Sequence, residues 1–179
     1  QMFVTALVSA GITPQDASRR QLVVTEPTRV GNSENWIEAL PLNSADVSIR
    51  GHIDYGRDSA IGRQTYDLAL TPVSFRQELA PARTFVLQEE AEWLAGQGLC
   101  QRVSYQDVLV FDHEGPMNNQ LRFSNECVRH KMLDAVGDLY LAGAPIIGCF
   151  SGARSGHAAN NALLRALFSD DEAWLYDVM

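Results

Sequence analysis

The sequence predicts an α+β domain, in which helices pack on one face of a mainly antiparallel sheet. The first observation is the order of the elements, because short strand patterns come first and helical patterns with two further strands follow. The early strand patterns cover 21–26, 35–41, 47–54 and 64–70, with the spacing of an antiparallel meander. The second observation is a long amphipathic pattern over Ser124–Gly143, which predicts one long helix packed into the core.

Composition narrows the class of protein. The chain has 179 residues, of which 46% are hydrophobic and 20% charged, as is typical of one globular domain. Its net charge of −8 argues against nonspecific nucleic-acid binding but does not exclude a local cluster of cations that binds an anion. No apolar run approaches the roughly 20 residues of a membrane span. The three widely spaced cysteines predict reduced thiols in a cytoplasmic protein.

The remaining elements follow from turn signals and periodicity. A helical pattern at the start of the chain ends at Gly11, and because the chain opens inside that pattern we expect it to be a fragment. A second helical pattern runs from Pro72 to just before Pro81. The next segment, 82–87, is followed by a short helix that ends at Gly96 and Gly98. Strands are then predicted at 106–112 and 144–151, followed by a final helix and by an edge strand at 172–178.

A polar stripe marks the long central helix. His130, Asp134 and Asp138 are spaced four residues apart, so they line up on one side of the helix. The His130 and Asp134 side chains are therefore able to reach one divalent ion with bonds of about 2 Å. A pair with this spacing is more often a surface hydrogen bond, and the large apolar face beside it is what favours a metal site. That face is predicted to comprise Val128, Met132, Leu133, Ala135, Val136, Leu139 and Tyr140.

Other polar residues carry two interpretations each. His157 lies at a strand-to-helix turn, where it serves either as an acid, base or cation or as a capping or surface residue. Asp138 either orients a histidine or is a solvated aspartate. Thr84 and Phe85 face a ligand or are turn and core residues. His52 and His113 are assigned to structure or surface.

Together, several segments resemble one enzyme family. They are ARTFVL (82–87), LRFSNECVRHKMLDAVGDLYL (121–141) and SGH (155–157) followed by NNALLRAL (160–167). They are similar to the second domain of the zinc-dependent UDP-3-O-acyl-N-acetylglucosamine deacetylases of lipid A biosynthesis. The likeness extends over nearly the whole chain. It implies that 1–13 form the last helix of a missing N-terminal domain, and that 14–179 form the second domain with a small βαβ insert at about 86–112.

The resemblance also implies roles for individual residues. His130 and Asp134 would be zinc ligands, and Thr84 would help to hold the zinc water and the oxyanion. His157 would stabilise the oxyanion or protonate the leaving amine, with Asp138 orienting it. The residues implied to contact substrate are Lys131 at the nucleotide phosphates, Phe85 at the sugar nucleotide, and Ala91, Cys100, Ser104, Val108 and Val110 along an acyl passage.

One part of the family pattern is absent. The first domain of these enzymes carries a histidine ligand and an adjacent glutamate base, and no Glu-His pair occurs in this sequence. We therefore expect the isolated chain to bind zinc weakly and to be inactive, and the complete protein to remove the N-acetyl group of UDP-3-O-acyl-N-acetylglucosamine. The alternatives are a noncatalytic module that binds a UDP-sugar or an acyl chain, and part of a deacetylase/dehydratase fusion.

Overall fold

A computed structural model describes residues 2–43 and 47–178 of the chain. In that part of the chain the strands are β1 (Arg20–Val24), β2 (Thr28–Gly31), β3 (Trp36–Leu40), β4 (Val47–Asp54), β5 (Arg63–Ala69), β6 (Thr84–Leu87), β7 (Val108–Phe111), β8 (Ile146–Ala153) and β9 (Trp174–Val178). The α-helices are α1 (Met2–Ala10), α2 (Pro72–Ser74), α3 (Gln88–Gly96), α4 (Glu126–Leu139) and α5 (His157–Phe168). The α+β class predicted from the sequence is confirmed.

The main sheet is built around β8. This strand pairs antiparallel with β3 over 149–153, parallel with β4 over 148–153, and parallel with β1 at 146–147. β5 extends the sheet beyond β4, β2 beyond β3, and β9 beyond β1 as the predicted edge strand. Most of these pairings are antiparallel.

The predicted antiparallel meander is wrong. β8 separates β3 from β4, although it follows them by a long stretch of chain. The physical reason is its burial, since almost every residue of β8 is buried and such a strand needs a partner along both edges. In addition, the segment predicted as one strand at 21–26 is followed by a separate strand, β2, which the sequence analysis missed.

Helices α4 and α5 pack on one face of this sheet, as predicted. Ile49 and Ile53 of β4 are buried on that face, and Gly51 between them lets α4 approach closely. A Cβ atom at Gly51 would lie 2.7 Å from Met132 Cγ and 3.0 Å from Val128 Cγ2. The opposite face of the sheet carries charged pairs, including Arg50 with Asp67 and Arg63 with Asp54.

The central helix is shorter than predicted. α4 ends at Leu139 and continues as a single 3₁₀ turn at Tyr140–Ala142, after which Gly143 adopts a left-handed conformation. Because Tyr140 lies past the end of α4 it is 63% exposed, so its predicted place on the apolar face is wrong. The buried members of that face are Val128, Met132, Ala135 and Leu139.

The small βαβ unit consists of β6, α3 and β7. The two strands are parallel, with Thr84 opposite Val108 and Val86 opposite Val110. The unit extends over 84–111.

The segment before this unit is less regular than expected. The helical pattern predicted after Pro72 forms three residues of α-helix and then a π-helix at Phe75–Leu79.

In the described part of the chain, every helix is too short or too polar to cross a bilayer.

Candidate functional site

His130 and Asp134 lie side by side on α4, and both side chains are largely buried. His130 Nε2 is 3.5 Å from Asp134 Oδ1. This separation exceeds a normal N–H···O hydrogen bond. It agrees with the distance of about 3.3 Å between two ligands of one tetrahedral zinc ion with bonds of about 2.0–2.1 Å. The pair therefore fits two corners of a metal site.

The environment of His130 favours the form that binds metal. Burial lowers the pKa of His130 and outweighs the opposite effect of Asp134. A neutral imidazole is the ligand form of histidine, so the ring is ready to coordinate near neutral pH. A hydrogen bond with the backbone of Ala82 also acts to raise this pKa, and burial outweighs it as well.

A third protein ligand is not at hand. Within 2–43 and 47–178, no three His, Cys, Asp or Glu side chains form a group that could hold a metal ion. His52 instead contacts Thr65, with 2.7 Å between Nδ1 and Oγ1, and the exposed His113 lies beside Glu114. Catalytic zinc usually has three protein ligands, so His130 and Asp134 alone would not complete a site of that kind.

Asp138 joins α4 to the start of α5. Its Oδ2 atom lies 2.8 Å from His157 Nδ1 and accepts a hydrogen bond of 2.8 Å from Asn160 Nδ2. Asp138 is mostly buried, whereas the ring of His157 is exposed. The contact with Asp138 thus leaves Nε2 of His157 accessible. Asn160 was missed in the sequence analysis, although its position three residues after His157 places both on one side of α5.

Thr84 and Phe85 begin β6 near the same part of α4. The rings of Phe85 and His130 meet edge to face with 6.1 Å between their centres, and Tyr55 contacts Phe85 from another side at 5.7 Å. Phe85 packs against the core, while Thr84 is exposed on the opposite side of the strand. The exposed Thr84 therefore directly precedes, along the chain, the ring that contacts His130.

Two cations line a polar cavity beside the start of α5. The cavity has a volume of about 350 Å³ and contains Lys131, Arg154 and Gly156, together with Asp54 and Tyr55. Lys131 Nζ approaches the turn closely, at 4.0 Å from where a Cβ of Gly156 would lie. Arg154 was not recognised as a candidate from the sequence, where its place directly after a buried strand was the available signal. Two positive side chains in one cavity are suited to bind an anion.

The predicted acyl-contact residues fall into two groups. Val108 and Val110 are half-buried and share one face of the βαβ unit with Thr84 and Val86. Ala91 is half-buried on α3. Cys100 and Ser104 are exposed in the loop between α3 and β7, where the Ser104 hydroxyl donates a hydrogen bond of 2.7 Å to Asp107. The contacts of Ser104 thus give it a role in the turn.

Comparisons with known proteins point to one family. A sequence model of the UDP-3-O-acyl N-acetylglycosamine deacetylase family matches residues 1–169. The chain is 40% identical to the UDP-3-O-acyl-N-acetylglucosamine deacetylase of Actinobacillus succinogenes over 174 residues, covering 96% of this chain and 56% of that protein. The deacetylase of Mannheimia succiniciproducens is also 40% identical, and that of Acidithiobacillus ferrooxidans is 39% identical, with 96% of this chain and 56% and 57% of those proteins covered.

The match covers nearly all of this chain but only part of each relative. The chain spans about half the length of the curated relatives it matches. The family match includes α1, every strand of the main sheet except β9, the βαβ unit, and helices α4 and α5. The chain therefore belongs to the UDP-3-O-acyl N-acetylglycosamine deacetylase family.

Proposed function

We propose that this chain forms part of a zinc-dependent deacetylase that hydrolyses the N-acetyl group of UDP-3-O-acyl-N-acetylglucosamine in lipid A biosynthesis. The observation that carries the proposal is the 3.5 Å separation of His130 Nε2 and Asp134 Oδ1, with a neutral imidazole favoured by burial. The names of the relatives supply the substrate class.

His130 and Asp134 would hold the zinc ion. Bound there, the ion would lower the pKa of a coordinated water and polarise the amide carbonyl. Amide hydrolysis adds water to the carbonyl carbon, breaks the C–N bond, and requires a proton on the departing nitrogen.

Thr84 and His157 supply the hydrogen bonds and the proton. The carbonyl oxygen becomes negative as water adds, and the Thr84 hydroxyl is proposed to donate to it. His157 is proposed to use its accessible Nε2 either to stabilise this charge or to donate a proton to the leaving amine. Asp138 positions His157 through Nδ1, and Asn160 holds Asp138.

Lys131 and Arg154 are proposed to bind the diphosphate of the nucleotide. They line the same cavity as Tyr55, whose ring contacts Phe85. A diphosphate in this cavity would place the attached sugar close to Phe85 and Thr84. The acyl chain would then extend along the face of the βαβ unit that carries Val108 and Val110.

The third zinc ligand and the glutamate base are proposed to lie outside this chain. The relatives are longer than this chain, so a longer protein can supply both groups. Helix α1 supports this view, because its apolar side chains Phe3 and Leu7 are exposed and the helix has no buried residue. An apolar helix of this kind is expected to pack against another part of the protein.

Activity and zinc affinity test the proposal together. They are to be measured for the 179-residue chain and for a protein that also includes the part of the relatives outside it. We expect weak zinc binding without turnover in the chain alone, and tight binding with deacetylation in the longer protein. In that protein His130→Ala should lower activity at least about 100-fold. Substituting a residue that only hydrogen-bonds to a metal ligand already lowers metal affinity or activity about 10–100-fold. The control His113→Ala, at an exposed site, should leave activity unchanged.

A noncatalytic UDP-sugar module is the second candidate, favoured by the two cations in one cavity. Titration with UDP in the absence of metal separates the two functions. Unchanged UDP affinity and no deacetylation in the longer protein would support the module, and robust deacetylation by the isolated chain would contradict the proposed division of the site.

A further inference from the structure

A largely buried ion pair joins α4 to the segment that leads into β6. Glu126, in the first turn of α4, has no exposed surface, and only 9% of the Arg83 side chain is exposed. Arg83 Nε donates to Glu126 Oε1 at 2.9 Å and Arg83 Nη2 donates to Glu126 Oε2 at 3.1 Å. This bidentate contact is the most directional form of an Arg–carboxylate pair.

Glu126 also binds the backbone on two sides. Its Oε1 accepts a hydrogen bond of 3.1 Å from the amide of Arg83, and its Oε2 accepts one of 2.7 Å from the amide of Arg122. Arg83 in turn donates to the side chain of Asn119 and to the carbonyl of Gln120. The carboxylate therefore fixes the backbone at Arg83 itself, in addition to neutralising a charge.

The fixed backbone lies directly beside the proposed chemistry. Thr84 follows Arg83, and the next residue, Phe85, contacts the His130 ring. His130 lies one helical turn after Glu126 on α4. Thr84 is thus held between two contacts with the same helix, the amide of Arg83 on Glu126 and the ring of Phe85 on His130.

We propose that Glu126, through Arg83, is a positioning residue that sets the place of the Thr84 hydroxyl relative to His130 and Asp134. This inference rests on the proposed function, because it assigns to Glu126 an effect on the step in which Thr84 acts. A displacement of about 1 Å in a positioned group costs about 100-fold in rate. Loss of the Glu126 carboxylate therefore lowers kcat by about 10–100-fold.

A neighbouring ion pair supplies the matched control. Arg129 of α4 pairs with Glu78 of the π-helix, and the guanidinium also binds the Glu78 carbonyl and Asn125. It lies between the rings of Tyr66 and Phe123 at 3.9 and 4.1 Å. Glu78→Gln is therefore the same chemical change, at a second contact between α4 and the preceding segment, without a bond to the backbone before Thr84.

The test is a double-mutant cycle in the longer protein that contains this chain. Wild type, Thr84→Ala, Glu126→Gln and the double variant are compared for kcat, KM and bound zinc. We expect Glu126→Gln to lower kcat about 10–100-fold while zinc content stays at the wild-type level. In the Thr84→Ala background the same change should lower kcat by less than about 3-fold, because its effect passes through Thr84. Glu78→Gln should change kcat by less than about 3-fold in both backgrounds.

A second variant covers the case in which Glu126→Gln does not fold. Arg83→Lys keeps the charge but loses the bidentate contact. It should lower kcat less than Glu126→Gln does, with the same dependence on Thr84. Hydrogen exchange at the amides of 83–86 should become faster in either variant. Effects that multiply across the cycle, or a loss of zinc that parallels the loss of rate, would overturn the inference. Failure of the proposed function is distinct, since the wild-type protein would then show no deacetylation.

Discussion

Asp138 accepts contacts from two residues of α5 through a single oxygen, Oδ2, with His157 Nδ1 and Asn160 Nδ2 each at 2.8 Å. The first of these residues is exposed and the second is buried. The buried amide therefore holds the carboxylate in place, and the carboxylate orients the exposed ring. Asn160 therefore stabilises the position of Asp138, and Asp138 orients the proposed acid, His157.

Asn160 is expected to affect catalysis through this contact. Asn160→Ala should lower kcat by about 10-fold or more, because Asp138 loses the donor that fixes it and groups behind a catalytic residue contribute about 10–100-fold. The measurement is kcat and KM for deacetylation by the longer protein. Asn161→Ala is the control, since Asn161 donates to the backbone carbonyl of His157 and, within 2–43 and 47–178, its side chain makes no hydrogen bond to Asp138. Equal effects of the two variants would show that the contact with Asp138 has no special role.

Nucleotide affinity is expected to depend on the two cations of the polar cavity. Lys131→Ala and Arg154→Ala should each weaken binding of UDP by about 10–100-fold, because a hydrogen bond to a charged group contributes about 1.5–3 kcal/mol. Calorimetric titration with UDP at two salt concentrations measures the loss and its electrostatic origin. Arg165→Ala, an exposed change on α5, is the control. Unchanged UDP affinity in both cavity variants would show that the diphosphate does not bind in this cavity.

Close packing between β4 and α4 can be tested at two glycines. Gly51→Ala should lower the free energy of unfolding by about 1–3 kcal/mol, since the new methyl group would lie 2.7 Å from Met132 Cγ. Gly137→Ala, on the exposed side of α4 with no atom within 4 Å, should instead raise it by about 0.5–1 kcal/mol. Urea denaturation followed by circular dichroism gives both values. A neutral Gly51→Ala would mean that Met132 moves aside freely.

Acid is expected to weaken the Glu126–Arg83 pair. Burial alone would raise the pKa of Glu126, but hydrogen bonds from the Arg83 side chain and from the amides of Arg122 and Arg83 outweigh it and hold the pKa below its ordinary value. The stabilisation is therefore complete above the unfolded value of about 4.3 and is lost as the pH falls through the lower, folded pKa. Breaking such a pair at neutral pH costs about 3–5 kcal/mol.

Unfolding curves of wild type and Glu126→Gln at several pH values measure this effect. The difference in unfolding free energy between them should be constant near neutral pH and should shrink below about pH 4. Glu92→Gln, which changes an exposed carboxylate on α3, should differ from wild type by less than about 0.5 kcal/mol throughout. A difference that grows on acidification would contradict the assigned direction.

Local sequence patterns predicted the elements of the site better than the sheet that supports them. The four-residue spacing on α4 was sufficient to place His130, Asp134 and Asp138 on one side, because helix geometry fixes that relation. The position of β8 between β3 and β4 depends on pairing between distant segments, which no local pattern encodes. The buried charges of Glu126 and Arg129 were likewise not recognisable, since their partners Arg83 and Glu78 lie far away in the sequence.

The central location of β8 has a consequence for the order in which the molecule forms. Trp36 of β3 and His52 of β4 both pair with Ala153, so these two strands lack their shared neighbour until the chain has been synthesised through residue 153. Contacts between such distant segments form slowly. Arg154 and His157 directly follow β8, so we expect the polar cavity and the contact with Asp138 to require that β8 is in place. Any variant that delays insertion of β8 is thus expected to leave newly made protein exposed to proteases before the cavity exists.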